Sequence, residues 1–340
     1  MQKLNLTSSL LMCILLLSSC WSTPKPKDPP VSSATSASTA TNDSLNILDT
    51  AGYKKLIQYI SHGDTTGRWP VKDNLTKAGA ILPFNRIIAY YGNLYSRQMG
   101  ILGELPKDSM FRKLKSEVKK WNEADTMISS IPALHYIAVT AQGSPGQGNT
   151  YRLRMPSKQI DTIISWAKEI NALVFLDVQV GLSTIDKELP LLEKYLSLPN
   201  VHLGIDPEFS MKTGKKPGSV IGTYDAADVN YAINFLKGIV EKNNLPPKIL
   251  VVHRFTRPMI TNYKQIKLTP EVQVVMNMDG WGIPAKKIST YRSFIYPEPV
   301  QFTGFKIFYK NDTKKSGVTK EMQPQDVLKL TPNPVYIQYQ

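Results

Sequence analysis

From Arg86 onward, short apolar runs rich in Val, Ile, Tyr and Phe alternate with stretches of helical periodicity. This rhythm predicts βα units around a parallel sheet. Strands are expected at Ile87–Gly92, Leu134–Ala141, Leu173–Gly181, Val201–Phe209, Ile249–Phe255, Val272–Asp279, Phe305–Tyr309 and Val335–Tyr339. Helices are expected between them, at about 109–123, 157–170, 186–197, 225–242, 284–294 and 318–330. Asp225 and Ser157 suit N-caps, and Pro284 suits a first helical turn. Within 225–242, Val229, Ile233, Leu236 and Val240 make one apolar stripe.

Eight strands with crossover helices over residues 86–340 predict an α/β fold, a (β/α)8 barrel of the TIM type. A doubly wound sheet would place a glycine-rich phosphate turn after its first strand, and Gly92-Asn93-Leu94 is not one. The last strand leaves no sequence for an eighth helix. Residues 44–85 are read as a helix near 45–60 plus a loop, packed on the barrel in that helix's place or across its bottom.

The N-terminus follows a different pattern. Lys3 precedes the apolar run Leu10 to Leu17, which is too short for a permanent bilayer span, and the run ends in Leu17-Ser18-Ser19-Cys20. This ending resembles the bacterial lipobox. The resemblance implies a signal peptide over 1–19, cleavage before Cys20 and acylation of its thiol. The implied localisation is the bacterial cell membrane, lipid-anchored, facing the periplasm or cell surface. Trp21 stands where inner-membrane retention usually has Asp, which favours an outer membrane. Residues 20–43 are mostly Ser, Thr, Pro and Ala, a composition that cannot bury enough apolar area to order itself, so a flexible tether is expected. Cys13 leaves with the signal and Cys20 carries lipid, so the mature domain has no thiol for a disulfide.

A formal charge of +14 in 340 residues suits anionic surroundings such as lipid headgroups or acidic glycan. An envelope address and the lack of any Lys/Arg run longer than two argue against a nucleic-acid partner. No cofactor is expected.

Active sites of such barrels lie at the C-terminal ends of the strands, and four neighbouring strands end in polar groups there. They read Asp177-Val178-Gln179, Asp206-Pro207-Glu208, His253-Arg254 and Asp279-Gly280-Trp281. Period two puts Asp177 with Gln179, and Asp206 with Glu208, on one face. Crowding carboxyls in a shared pocket raises the pKa of one and leaves its partner ionised, the division of labour that glycoside hydrolysis uses. Glu208, Asp206 and Asp177 are therefore the catalytic candidates. Gln179, His253, Arg254, Asp279, Tyr91, Trp281 and Arg152 are the substrate-binding candidates. Arg152 closes a glycine-rich loop, 142–154, that follows the second strand at the same end. No metal is assigned, since no His-x-His or His-Glu-x-x-His spacing occurs. His135 and His202 are read as lying early in their strands, away from the mouth.

The Asp206-Pro207-Glu208 step resembles the Asp-x-Glu at the fourth strand of family-25 muramidases. That resemblance implies Glu208 as the proton donor and Asp206 as its assistant, although the first strand here, Ala89-Tyr90-Tyr91-Gly92, lacks that family's Asp. More broadly, Met99-Gly100-Ile101-Leu102-Gly103-Glu104, Leu176-Asp177-Val178-Gln179, Asp206-Pro207-Glu208-Phe209 and Gly304-Phe305-Lys306 resemble bacterial (β/α)8-barrel proteins of the cell envelope, many of them lipoproteins. Three functions stay open on sequence. They are a glycosidase-like envelope enzyme, a non-catalytic barrel binding glycan or protein, and a metal-dependent phosphodiester hydrolase.

Overall fold

The structure is a computed structural model, and it describes residues 47–72, 76–314 and 320–340. The expected signal, Cys20 and tether lie outside the described residues. Among the described residues, eight parallel strands pair in chain order and close on themselves. They are β1 (Asn85–Gly92), β2 (Ser129–Ala141), β3 (Leu173–Val178), β4 (Val201–Ile205), β5 (Lys248–Arg254), β6 (Val272–Met278), β7 (Phe302–Ile307) and β8 (Tyr336–Tyr339). The fold is the expected (β/α)8 barrel.

Side-chain alternation divides the core in two. Ile87, Ala89, Ala133, Phe175, Ile249, Val251, Val275, Phe302 and Tyr336 form the inner cluster, while Ile88, Tyr90, Leu134, Leu176, Leu250 and Val252 pack outward with the helices. The helical ring includes α2 (Lys107–Ala124), α3 (Ser157–Glu169), α4 (Ala226–Asn243) and α5 (Pro284–Thr290). Asp225 caps α4 as expected, in a reciprocal capping box with Asp228. Ser157 is instead the first residue of α3, behind Pro156.

The helix expected over 186–197 is broken. Pro190 cannot donate to an α-helical ladder, and Leu189–Leu192 tighten into a 3-10 turn between single turns at Ile185–Glu188 and Glu193–Leu196. The last expected helix reduces to one turn at Pro324–Val327, with residues 315–319 outside the described set. The N-terminal helix α1 (Thr50–Ile60) sits at the base of the barrel and not in the helical ring. Its Tyr53, Ile57 and Ile60 join the inner cluster, and the Ile60 carbonyl accepts from Asn333 N–H just ahead of β8. With the base plugged, the open end is the C-terminal mouth.

Candidate active site

A cavity of about 630 Å³ opens at that mouth. Tyr91, Gln179, Asp206, Glu208, Asp279, Trp281 and Lys306 all line it, with Phe209, Phe255, Phe294 and Phe308 adding apolar wall. Volume, apolar walls and a few convergent polar groups fit a small-molecule or oligomer site.

Asp206 ends β4, and the chain there leaves the extended conformation. Pro207–Phe209 form a 3-10 turn capped by the Asp206 side chain, whose Oδ1 accepts from Glu208 N–H at 3.0 Å. Period two therefore does not place Glu208, contrary to the strand expected through Phe209; this turn does. Its carbonyl accepts from Gly222 N–H at 2.7 Å, fixing the turn to the following loop. Gln179 Nε2 donates to Asp206 Oδ2 at 3.3 Å, while Gln179 Oε1 accepts from Ala141 N–H at 3.1 Å. Burial pushes the Asp206 carboxyl well above its ordinary range, reinforced by the charges of Glu208, Asp177 and Asp279. Burial, and then the charge of Asp279, raises partly buried Glu208 to about 7.

Asp279 behaves oppositely. Burial opposes its charge, but Lys306 Nζ lies 2.8 Å from Oδ1 and His253 Nδ1 donates to Oδ2 at 2.9 Å, so its pKa falls below the usual range. Lys306 itself is 3% exposed, and its ammonium lies 4.0 Å from the centre of the Tyr91 ring.

Below the cavity runs a buried polar chain. Asp177 does not line the cavity; it is fully enclosed, and its Oδ2 accepts from Tyr91 O–H at 3.0 Å. Its Oδ1 lies 3.2 Å from His135 Nε2 and 3.3 Å from His253 Nε2. Burial alone would raise the Asp177 carboxyl, yet the two imidazoles, His253 foremost, hold it far below the carboxylate range. His135 Nδ1 meets Tyr336 O–H at 2.5 Å and Gln338 Nε2 at 3.2 Å, both of them donors, so that nitrogen accepts and the proton sits on Nε2. His135 is accordingly neutral, with burial lowering it to about 4. His253 Nδ1 donates to Asp279, and its Nε2 lies 3.3 Å from Asp177 Oδ1 as an ion-pair contact. Burial disfavours its charge, but Asp177 and Asp279 outweigh that and raise it to about 10.

Among the described residues, His135, Asp177 and His253 are the group whose ligand atoms, all within 4.8 Å of one another, have the donor set for a metal ion. Each of those atoms already has a place in the chain just described, and the charges of Asp177, His253, Asp279 and Lys306 alternate in sign. We read the three as a proton-linked chain.

Four of the candidates lie off the cavity wall: Asp177 and His253 are enclosed beneath it, and Arg254 and Arg152 turn away from it. With His253 pointing inward, Arg254 points outward by the same alternation; it pairs with Glu298 and donates to the Arg257 carbonyl at 3.0 Å. Arg152 is likewise absent from the cavity wall. It lies on a short antiparallel strand, Arg152–Arg154, and donates to Glu188 at 2.8 Å, beside Arg154 at 2.7 Å. Neither guanidinium reaches the mouth.

His135 and Lys306 were not anticipated in the site. β2 starts at Ser129, five residues before the expected start, so His135 falls mid-strand opposite Tyr91 and Phe175. The inward parity shared by Ala133, His135 and Ile137 was the available signal. Lys306 shares inward parity with Phe302 and Gly304 in the same way.

No family model and no curated protein matches the chain. Among solved structures it is similar to the cellulase Cel5C_n, at 14% identity and TM-score 0.37 over 65% of each chain. It is also similar to the Clostridial cellulose synthase subunit Z (CcsZ) from Clostridioides difficile, at 9% identity and TM-score 0.37, over 75% of this chain and 92% of that one. A third is a hyperthermophilic endo-beta-1,4-glucanase, at 11% identity and TM-score 0.25, over 44% of this chain and 48% of that one. The chain thus covers less than two thirds of the Cel5C_n cellulase. At such scores these likenesses assign no chemistry to it.

Proposed function

We propose that this barrel cleaves glycosidic bonds in an envelope glycan, with Glu208 as the proton donor and Asp279 as the ionised carboxylate of the same cavity. One observation carries the reading: a single cavity holds a carboxyl raised to about 7 and another held ionised by Lys306 and His253. Two carboxyls driven to opposite protonation states are what an acid and its anionic partner require. Asp206, pushed toward its neutral form, supports the Glu208 turn and holds Gln179. Asp177, enclosed beneath the floor, acts behind the site.

The exposed rings suit a sugar. Trp281 stands at the rim 49% exposed, with Lys286 Nζ 4.9 Å from its ring centre. A sugar face stacking there would lose that platform in Trp281→Ala, which is expected to raise KM about 5–30-fold with kcat little changed. An unaltered KM would remove Trp281 from the binding surface. The reading as a whole is tested by incubating the purified chain with cell-wall and surface glycan fragments and assaying new reducing ends. Retained binding with no product after prolonged incubation would leave a glycan-binding barrel without catalysis.

The address is part of the same proposal. Residues 1–19 direct export and acylated Cys20 holds the barrel on a membrane facing the periplasm or cell surface. Among the described residues no helix is long and apolar enough to cross a membrane. Cys20→Ser is expected to prevent incorporation of labelled palmitate and to move the chain from the membrane to the soluble fraction. Undiminished labelling in that variant would refute the anchor.

A further inference from the structure

We propose that the buried chain Tyr336–His135–Asp177–His253 is a positioning device for Asp279, setting the charge and direction of the carboxylate that shares the cavity with Glu208. Its purpose rests on the glycan-cleaving reading; the chain itself rests on geometry.

None of His135, Asp177 or His253 lines the cavity, and all three are fully enclosed. They act on the site only through Asp279, Tyr91 and their neighbours. The chain has a direction. Tyr336 O–H and Gln338 N–H commit His135 Nδ1 to accepting, so His135 Nε2 must donate to Asp177. Asp177 then accepts from His135 and Tyr91 and stands 3.3 Å from His253 Nε2 as its counter-ion, while His253 Nδ1 donates to Asp279 Oδ2 at 2.9 Å. A ring hydrogen-bonded to one carboxylate and flanked by a second keeps one orientation and keeps its proton.

The groups facing His253 come from every side. They are Tyr91 from β1, His135 from β2, Asp177 from β3, Asp206 and Glu208 from the end of β4 and Asp279 from the end of β6, with Lys306 of β7 on the other oxygen of Asp279. Its ion-pair contacts are with Asp177 and Asp279. The barrel also leaves room for the junction: a Cβ on Gly204 would sit 2.4 Å from Asp177 Oδ1 and 2.5 Å from His135 Nε2. A core wanting only stability would be served as well by apolar residues, since buried ion pairs seldom out-stabilise them.

The test begins without substrate. In the ¹⁵N-histidine spectrum of the whole chain, His253 is expected to be protonated at both nitrogens across pH 6–8, and His135 neutral at Nε2–H. Asp279→Asn and Asp177→Asn should each lower the His253 midpoint by about one pH unit or more. With a substrate in hand, His253→Gln should move the acid limb of the kcat/KM profile to higher pH, because Asp279 loses a cation. It should also reduce kcat more than it changes KM. A His253 titrating near 6.5, a midpoint indifferent to both Asn variants, or an acid limb unmoved in His253→Gln would overturn the proposal. If His253→Gln fails to fold, the two Asn variants decide it. The spectra stay informative even if Glu208→Gln leaves turnover intact, a result that would sink the glycan reading alone.

Discussion

Glu208→Gln is expected to lower kcat on a cleaved glycan by roughly 10²–10⁴-fold, the range over which a positioned general acid contributes. The amide keeps the shape of the acid and cannot release a proton, so KM should change little. Wild-type activity should fall as pH rises through about 7, where Glu208 ionises. The same group makes a stability prediction of definite sign. Its folded pKa lies above the ordinary value of 4.5, so its contribution is fully present below pH 4.5 and is lost as pH climbs through about 7. Above pH 7 the wild type therefore carries a penalty that the Gln variant lacks. Urea denaturation at pH 8 should find Glu208→Gln the more stable protein, by on the order of 1–3 kcal/mol. Turnover at the wild-type rate, or a variant less stable at pH 8 than at pH 5 relative to wild type, would remove Glu208 from the role.

The barrel was legible because its signals are local. Apolar β-branched runs, Asp225 as a cap and Pro284 at a helix start report on their own residues, and a closed sheet of eight satisfies all of them at once. Strand-end position also sufficed to bring Gln179, Asp206, Glu208, Asp279, Tyr91 and Trp281 to one mouth. Where the reading missed, an assumption about parity or extent failed. Ser129, Ser130 and Pro132 precede the unbroken apolar run, so the apolar pattern alone begins β2 at Leu134 and sets His135 near its start, whereas the strand begins at Ser129. Arg254 was grouped with His253 although adjacent strand residues face opposite ways. The clasp of Arg152 and Arg154 on Glu188 joins groups more than thirty residues apart, and no local pattern encodes it.

Removing the carboxylate at the junction should have the largest effect on stability. Asp177→Ala is expected to cost about 3–5 kcal/mol, the range for taking one partner from a buried charged pair. It leaves the His253 cation with Asp279 as its remaining carboxylate contact, and it strips both the Tyr91 hydroxyl and His135 Nε2 of an acceptor. Asp177→Asn keeps the volume and one acceptor oxygen, and should cost less than the Ala change. The pH dependence runs opposite to that of Glu208. The folded pKa of Asp177 is depressed, so its contribution is present above the ordinary value of 3.8 and is lost only as pH falls toward the much lower folded value. Denaturation of wild type and Asp177→Ala should therefore differ by the full amount at pH 7 and nearly as much at pH 5. The gap should close only in strong acid. A loss below 1 kcal/mol at pH 7 would mean that the imidazoles and Asp279 satisfy one another without Asp177, and the polar floor of the cavity would then need a different centre.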